Sequence, residues 1–450
     1  MNKRVLYFVV SLIVSLALTW LVKEPDFTQS KIYVLFLTFF SIALWVTEAV
    51  PAFAVSLFIM AYLVFTLGNP YFNNNPEQID KYVHTFSSST IWLLLGGFFL
   101  SSAMTKTKLD EKLLRITFKI SGTQPRNIII AIVSSCAILS SMMSNASTSA
   151  MMVAALMPLL DKLGKSKLTT GLLLAIALGC ATGGIATIIG TPANAIAAGM
   201  LESDQIPMDF MKWVTYGLPI TVILAILGSF LLVRLYVENA EPITMNFLSI
   251  SNDQSDPSPQ NRKIVLWVLV ITVILWLTNS IHHVSVAAIS AIPFVVLTLT
   301  GVLDEKDVKA LPWNVLILVA GGMSLGVALE SSGLLTHYAT YISNMKLSPT
   351  IFILVFAYIA MFISNFMSNS VAATILLPFE FAIFPDYRLQ LAVTTAIATS
   401  CGLFLPVSNP PNALIYSTSY LKIKDFRSLA FLIALVGPIL AVIWVKLLAS

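Results

Sequence analysis

The sequence predicts an all-α polytopic membrane protein, with eleven transmembrane helices plus two re-entrant hairpins in two inverted repeats. Three observations carry this reading. The 450 residues are 57% hydrophobic and only 11% charged, whereas about a quarter of the residues of a soluble domain are charged. Two polar strings interrupt apolar sequence, Ser144-Asn145-Ala146-Ser147-Thr148 and, 224 positions on, Ser368-Asn369-Ser370. A second break follows each string, Gly190-Thr191-Pro192-Ala193-Asn194 and Ser408-Asn409-Pro410-Pro411-Asn412. Helix-breaking, hydrogen-bonding residues stay inside a bilayer only where they line a cavity.

The first helix is expected over 4–22. Its apolar run is too long for a signal-peptide core and lacks a small-x-small cleavage site, so it is expected to be retained. Apolar runs of span length follow at 31–49, 51–67 and 89–105. A charged amphipathic stretch, 106–126, leads into a polar-tipped hairpin over 127–160. A long broken segment at 169–200 and a span at 213–236 close the first half. Residues 237–262, rich in Ser, Asn, Asp and Pro, read as the connector between repeats. The second half echoes the first, with spans at 264–281, 284–301 and 314–333 and a connecting stretch at 334–348. A hairpin at 350–383, a broken segment at 388–420 and a last span at 428–447 follow. Gly96-Gly97 matches Gly321-Gly322 at an offset of 225, close to the 224 between the Ser-Asn pairs.

Lysine and arginine sit at span ends, so the net charge of +4 reports orientation rather than nucleic-acid binding. With the N-terminus cytoplasmic, 19 of the 26 basic residues fall in cytoplasmic segments. This works only if each polar-tipped segment is re-entrant, which leaves the C-terminus outside. Cys136, Cys180 and Cys401 have no paired spacing and read as small buried hydrophobes. No metal motif is present, and no organic cofactor is expected.

An anion held at the midplane must then be bound without formal positive charge. Helix N-termini, backbone N–H groups, hydroxyls and amides are the alternative. Ser144, Asn145, Ser368 and Asn369 are strong N-cap types, each opening a returning helix. Two facing tips would take the two ends of a dicarboxylate, and carbonyls freed at 182–195 and 402–412 would hold cations. Glu48, Glu330 and Glu380 lie near span or hairpin ends, where water reaches them. They read mainly as caps or hinges, with coupling the alternative.

At these residues the chain resembles the divalent anion/sodium symporter (DASS) family of di- and tricarboxylate carriers. The resemblance covers nearly the whole chain and includes Trp45-Val46-Thr47-Glu48-Ala49-Val50-Pro51 and Pro406-Val407-Ser408-Asn409-Pro410-Pro411-Asn412. It implies a scaffold domain (1–105 and 263–333) that forms a homodimer. It also implies a transport domain (127–236 and 349–450) that moves as an elevator. The amphipathic arm at 106–126 and the outer arm at 334–348 join the two domains, and the linker at 237–262 is cytoplasmic. The implied substrate-binding residues are Ser144, Asn145, Ala146, Thr191, Ser368, Asn369, Ser370, Asn409 and Pro410. The implied first sodium site is Ser140, Ser144, Asn145 and Gly190, and the second is Ser364, Met367, Asn369 and Ser408.

The family's hairpin motif is Ser-Asn-Thr, and this chain departs from it with Ala146 and Ser370. It departs again with Ser408-Asn409 where Ala-Thr is usual. These departures favour exchange of one C4–C5 dicarboxylate (succinate, malate, fumarate or 2-oxoglutarate) for another over sodium-coupled symport. A passive anion channel would want a continuous polar file or charged rings, which are absent, and no enzymatic triad or metal-protease motif lies in the spans. The expected setting is the cytoplasmic membrane, with lipid around the protein.

Overall fold

The computed structural model describes residues 3–73, 76–237, 241–242, 259–334, 337, 348–406 and 408–449. Most of the expected linker and outer arm lies outside the described residues. The first half holds α1 (Lys3–Val22), α2 (Gln29–Thr47), α3 (Ala52–Leu67), α4 (Ser89–Lys106), α5 (Leu109–Ser121), α6 (Pro125–Ser140), α7 (Asn145–Leu163), α8 (Lys167–Ile185), α9 (Pro192–Ser203) and α10 (Phe210–Tyr236). The second holds α11 (Pro259–Leu277), α12 (Val286–Leu299), α13 (Trp313–Ser331), α14 (Pro349–Ile363), α15 (Asn369–Ile383), α16 (Arg388–Thr399), α17 (Pro410–Ser417) and α18 (Arg427–Ala449). Among the described residues, eight helical segments are long and apolar enough to cross a membrane, and α3, α6, α12 and α14 are shorter apolar helices.

The outer helices are built for lipid. In α1 the buried residues are Ser11, Ser15 and Thr19, a stripe at i, i+4 and i+8, while Ile13, Leu16, Trp20 and Leu21 are exposed. Two of the hydroxyls are satisfied within the helix, Ser15 Oγ donating to the Ser11 carbonyl at 2.6 Å and Thr19 Oγ1 to the Ser15 carbonyl at 2.7 Å, and that of Ser11 pairs with the Thr47 hydroxyl of α2 at 3.2 Å. A polar stripe inside and an apolar face outside is what hydrocarbon selects.

The repeats exchange partners. α4 packs on α12, and α13 packs on α3. The glycine pairs permit this: a Cβ on Gly96 would lie 2.8 Å from the Ser290 carbonyl, and one on Gly321 would strike Ser56. In the other half of the molecule, α8 lies against α6 and α10 as α16 lies against α14 and α18. α8 is buried along nearly its whole length. A Cβ on Gly179 would sit 2.5 Å from Cys136 Cβ and 2.6 Å from the Val133 carbonyl, so α8 meets α6 backbone to backbone. All three cysteines are free and buried, as their surroundings in sequence predict.

Candidate functional site

Each hairpin tip is a capped helix start. Ser144 is extended (φ −65, ψ 143) and its Oγ accepts from the Ser147 amide at 3.1 Å. Ser368 repeats this (φ −64, ψ 148), accepting from the Val371 amide at 3.4 Å. Both therefore take the N-cap role that the residue type predicts. Asn145 and Asn369 each begin the returning helix.

Each break is also capped and tied. Thr191 Oγ1 accepts from the Asn194 amide at 3.4 Å and starts α9; Asn409 Oδ1 accepts from the Asn412 amide at 2.9 Å and starts α17. Pro192 and Pro410 follow at the first helical position, where a missing N–H costs nothing. Asn194 and Asn412, both fully buried, close the freed carbonyls. Asn194 Nδ2 donates to the Gly184 carbonyl at 2.8 Å and the Thr187 carbonyl at 2.7 Å. Asn412 Nδ2 donates to the Leu403 carbonyl at 3.1 Å and the Leu405 carbonyl at 3.2 Å. With Nδ2 facing carbonyls, each Oδ1 faces the other way, and both Oδ1 atoms are buried and unpartnered among the described residues.

In the first repeat, tip and break meet. The Ser140 hydroxyl bridges Asn145 Oδ1 and the Cys180 carbonyl. A Cβ on Gly184 would lie 3.0 Å from Asn145 Oδ1 and 2.7 Å from Thr191 Cγ2, and one on Gly190 would press on the Gly184 carbonyl at 2.5 Å. Ser140, Asn145, Gly190 and Thr191 thus form one cluster, and Ser144 stands beside it as the cap of α7. In the second repeat, a Cβ on Gly402 would strike Ser364, and Asn365 Oδ1 accepts from the Phe404 amide at 2.8 Å. Asn369 Oδ1 is buried without a partner among the described residues. Ser370 is buried. Ser408 Oγ donates to the Leu405 carbonyl at 2.7 Å and accepts from Asn412.

The repeats also interlock crosswise. α7 packs on α17 and α15 packs on α9, so each tip helix rests on the other repeat's broken helix. Met367 and Ser368 face the Trp45–Ala52 turn and Arg4 across a cavity of about 260 Å³. Glu48 ends α2 in the left-handed region (φ 49) and lines that cavity. Met143, by contrast, is buried.

Two features lay outside sequence reasoning and one goes against it. Asn365 and Gly184 bind tip to break, and Asn365 was legible as a second amide inside an apolar run at the tip. Glu380 is fully buried, both carboxylate oxygens accepting from Thr395 Oγ1 at 2.8 Å. This corrects the expectation that water reaches it, because α16 packs over α15 and sets Thr395 on the carboxylate. Finally, Arg388 joins Asp204 at 2.8 Å and Glu330 at 3.0 Å, three residues too far apart in sequence to be associated.

Two capped re-entrant tips set against two broken helices in a doubled, lipid-facing bundle define a membrane transporter rather than an enzyme. The particular family follows from comparison: the profile of the sodium:sulfate symporter transmembrane region matches residues 2–449, and the chain belongs to this divalent anion/sodium symporter family. A similar relative is the sodium-dependent dicarboxylate transporter SdcS of Staphylococcus saprophyticus, 27% identical over 96% of this chain and 89% of the relative. SdcS of Staphylococcus aureus (strain USA300) is 26% identical over 95% and 88%. Among solved structures, Neisseria gonorrhoeae MtrF, described with a class of antimetabolite efflux pumps, shares the fold. Its TM-score is 0.55 at 13% identity, covering 90% of this chain and 96% of that one. The Alcanivorax borkumensis YdaH transporter gives 0.56 at 14% identity over 88% and 97%.

Proposed function

We propose that this protein carries C4–C5 dicarboxylates across the cytoplasmic membrane, with sodium as the coupling ion. One carboxylate is held at the N-terminus of α7 by Ser144 and Asn145, the other at the N-terminus of α15 by Ser368 and Asn369. Helix N-termini with hydroxyl and amide donors suit carboxylates without a buried cation. Thr191, Asn409 and Pro410 shape the breaks from behind, and Ala146 and Ser370 border the substrate.

The observation that carries sodium coupling is the matched pair of buried, unpartnered oxygens, Asn194 Oδ1 and Asn412 Oδ1, one in each break, with Asn369 Oδ1 beside them in kind. In carriers with broken helices the backbone carbonyls of the unwound stretches coordinate the coupling cation, and a buried amide oxygen beside them offers the same kind of ligand. The departure at Ser408-Asn409 loses its weight against sodium, because Asn409 caps α17 as Thr191 caps α9. The sodium-dependent relatives support the same reading. Ser140, Gly190, Ser364, Met367 and Ser408 complete the two candidate sites. Exchange remains the second reading, favoured by Ala146. The nearest hydroxyl, that of Ser147, lies one position further along α7 and accepts from Ser144 at 2.8 Å.

The topology we assign has eleven spans, α8/α9 and α16/α17 crossing as broken units, a cytoplasmic N-terminus and an external C-terminus. The scaffold dimerises and the transport domain moves past it. Labelled succinate and 2-oxoglutarate uptake into proteoliposomes, in sodium or choline and with or without internal dicarboxylate, tests the proposal. Uptake driven by an inward sodium gradient alone is the expected result. Uptake that needs internal substrate and ignores sodium would establish exchange instead.

A further inference from the structure

The arm helix α5 buries Leu109, Leu114 and Phe118 and packs on α6. On its open side Leu113, Ile116 and Ile120 are exposed, Ile120 at 80%. A short amphipathic helix with a second, open apolar face lies in the membrane interface. Its polar edge is basic. Lys108, Lys112 and Arg115 meet Arg262 of α11 around a cavity of about 240 Å³, with Glu111 the one carboxylate in its wall among the described residues. Arg262 Nε donates to the Thr107 carbonyl at 3.0 Å, which pins a residue of the second half beside the arm of the first. Arg115 faces Glu111 at 3.8 Å. Among the described residues, Lys108 and Lys112 make no ion pair.

A second cavity, about 490 Å³, starts at the same Glu111 and Arg115 and runs between α5 and α7. Its wall is apolar over most of its area, with Leu114, Ala150, Met151, Ala154 and Ala155, and is polar at Thr105, Asp110 and, toward the first tip, Ser147. A cationic chamber opening into an apolar cleft at a membrane interface has the profile of an anionic amphiphile. The positive-inside distribution places this stretch at the cytoplasmic leaflet, whose anionic lipids attract such clusters.

We infer that these two cavities bind one anionic phospholipid of the cytoplasmic leaflet. Its phosphate sits among Lys108, Lys112, Arg115 and Arg262, and an acyl chain lies between α5 and α7. A neutral headgroup forfeits the charge match, and free phosphate forfeits the apolar cleft. The lipid would wedge the arm against the helix that carries the first tip.

The test is native mass spectrometry of the full chain released from nanodiscs with equal phosphatidylglycerol and phosphatidylcholine. The wild type is expected to retain one phosphatidylglycerol in preference to phosphatidylcholine. Lys108→Gln/Lys112→Gln lowers that preference about tenfold or more, as loss of two cations near the surface predicts. The exposed single variant Lys112→Gln gives an intermediate drop. Ala154→Phe, which fills the cleft, lowers retention with the basic residues intact. Equal retention of the two lipids by the wild type, or an unchanged preference in the double variant, overturns the site. So does protection of α5 from hydrogen exchange by inorganic phosphate equal to that by phosphatidylglycerol.

Discussion

At the scale of single residues, four asparagines divide into two jobs. Asn145 and Asn369 open the returning helices and are half-buried, whereas Asn194 and Asn412 are fully buried and spend their amides on backbone carbonyls. Replacing a donor that serves two buried carbonyls leaves them unsatisfied, at a cost of about 1–3 kcal/mol. Asn194→Ala and Asn412→Ala are therefore expected to lower the melting temperature in detergent. Asn145→Ala and Asn369→Ala should melt near the wild type yet lose nearly all dicarboxylate uptake. Equal loss of stability in all four would remove the distinction. The sequence made these residues visible because polar groups are rare in apolar runs. It could not tell a substrate ligand from a tie whose amide nitrogen holds backbone carbonyls and whose oxygen stays open to a cation, since both jobs want the same side chain. Ser408 illustrates this limit: its hydroxyl is engaged by Leu405 and Asn412, a bond no spacing announces.

At the scale of elements, the broken helices work because small residues let tip and break touch. Gly184 separates Asn145 from Thr191, and any Cβ there enters both. Gly184→Ala is expected to displace Asn145 and cut uptake at least tenfold while the protein still folds and binds lipid. Gly179→Ala instead pushes α8 off α6, an overpacking cost of about 1–3 kcal/mol. Its effect should appear in the melting temperature first and in transport only through the fraction folded. The offset between repeats made the hairpins and breaks legible, and the amphipathic arm was legible from its charge. Helix lengths were less so. α12 ends after 14 residues, about 21 Å at 1.5 Å per residue, because Thr300 and Gly301 turn the chain early and α4, not lipid alone, covers its face.

At the scale of the whole molecule, the inverted repeats are alike in fold and unlike in contacts. α9 of the first repeat packs on α4 and α13, whereas its counterpart α17 packs on α7 and α8. At the end of α9, Glu202 caps the N-terminus of α4, accepting from the Thr90 hydroxyl at 3.0 Å and the Ser89 amide at 3.2 Å. Next to it Arg388 of α16 links Asp204 to Glu330 of α13. These contacts close one face, and on the assigned topology it is the outer one. Burial, then the Glu330 charge, pushes the Asp204 carboxyl up to about 7 against the pull of Arg388. Once the face opens, Asp204 regains water and an ordinary carboxylate value near 4. A value raised in the closed form means closure is favoured most below that ordinary value and loses the advantage as pH rises through about 7. Val327 lines the small pocket sealed by these groups, and the three native cysteines are buried, so Val327→Cys reports opening to an impermeant thiol reagent. Labelling from outside, normalised to an exposed control cysteine, is expected to be faster at pH 8 than at pH 6. Arg388→Gln should raise it several-fold at both, and Asp204→Asn should flatten the pH response without abolishing labelling. A pH response that survives Asp204→Asn would assign the titration to another group, and slow labelling in Arg388→Gln would mean that apolar packing of α9 on α13, not the ion cluster, holds the outer face shut.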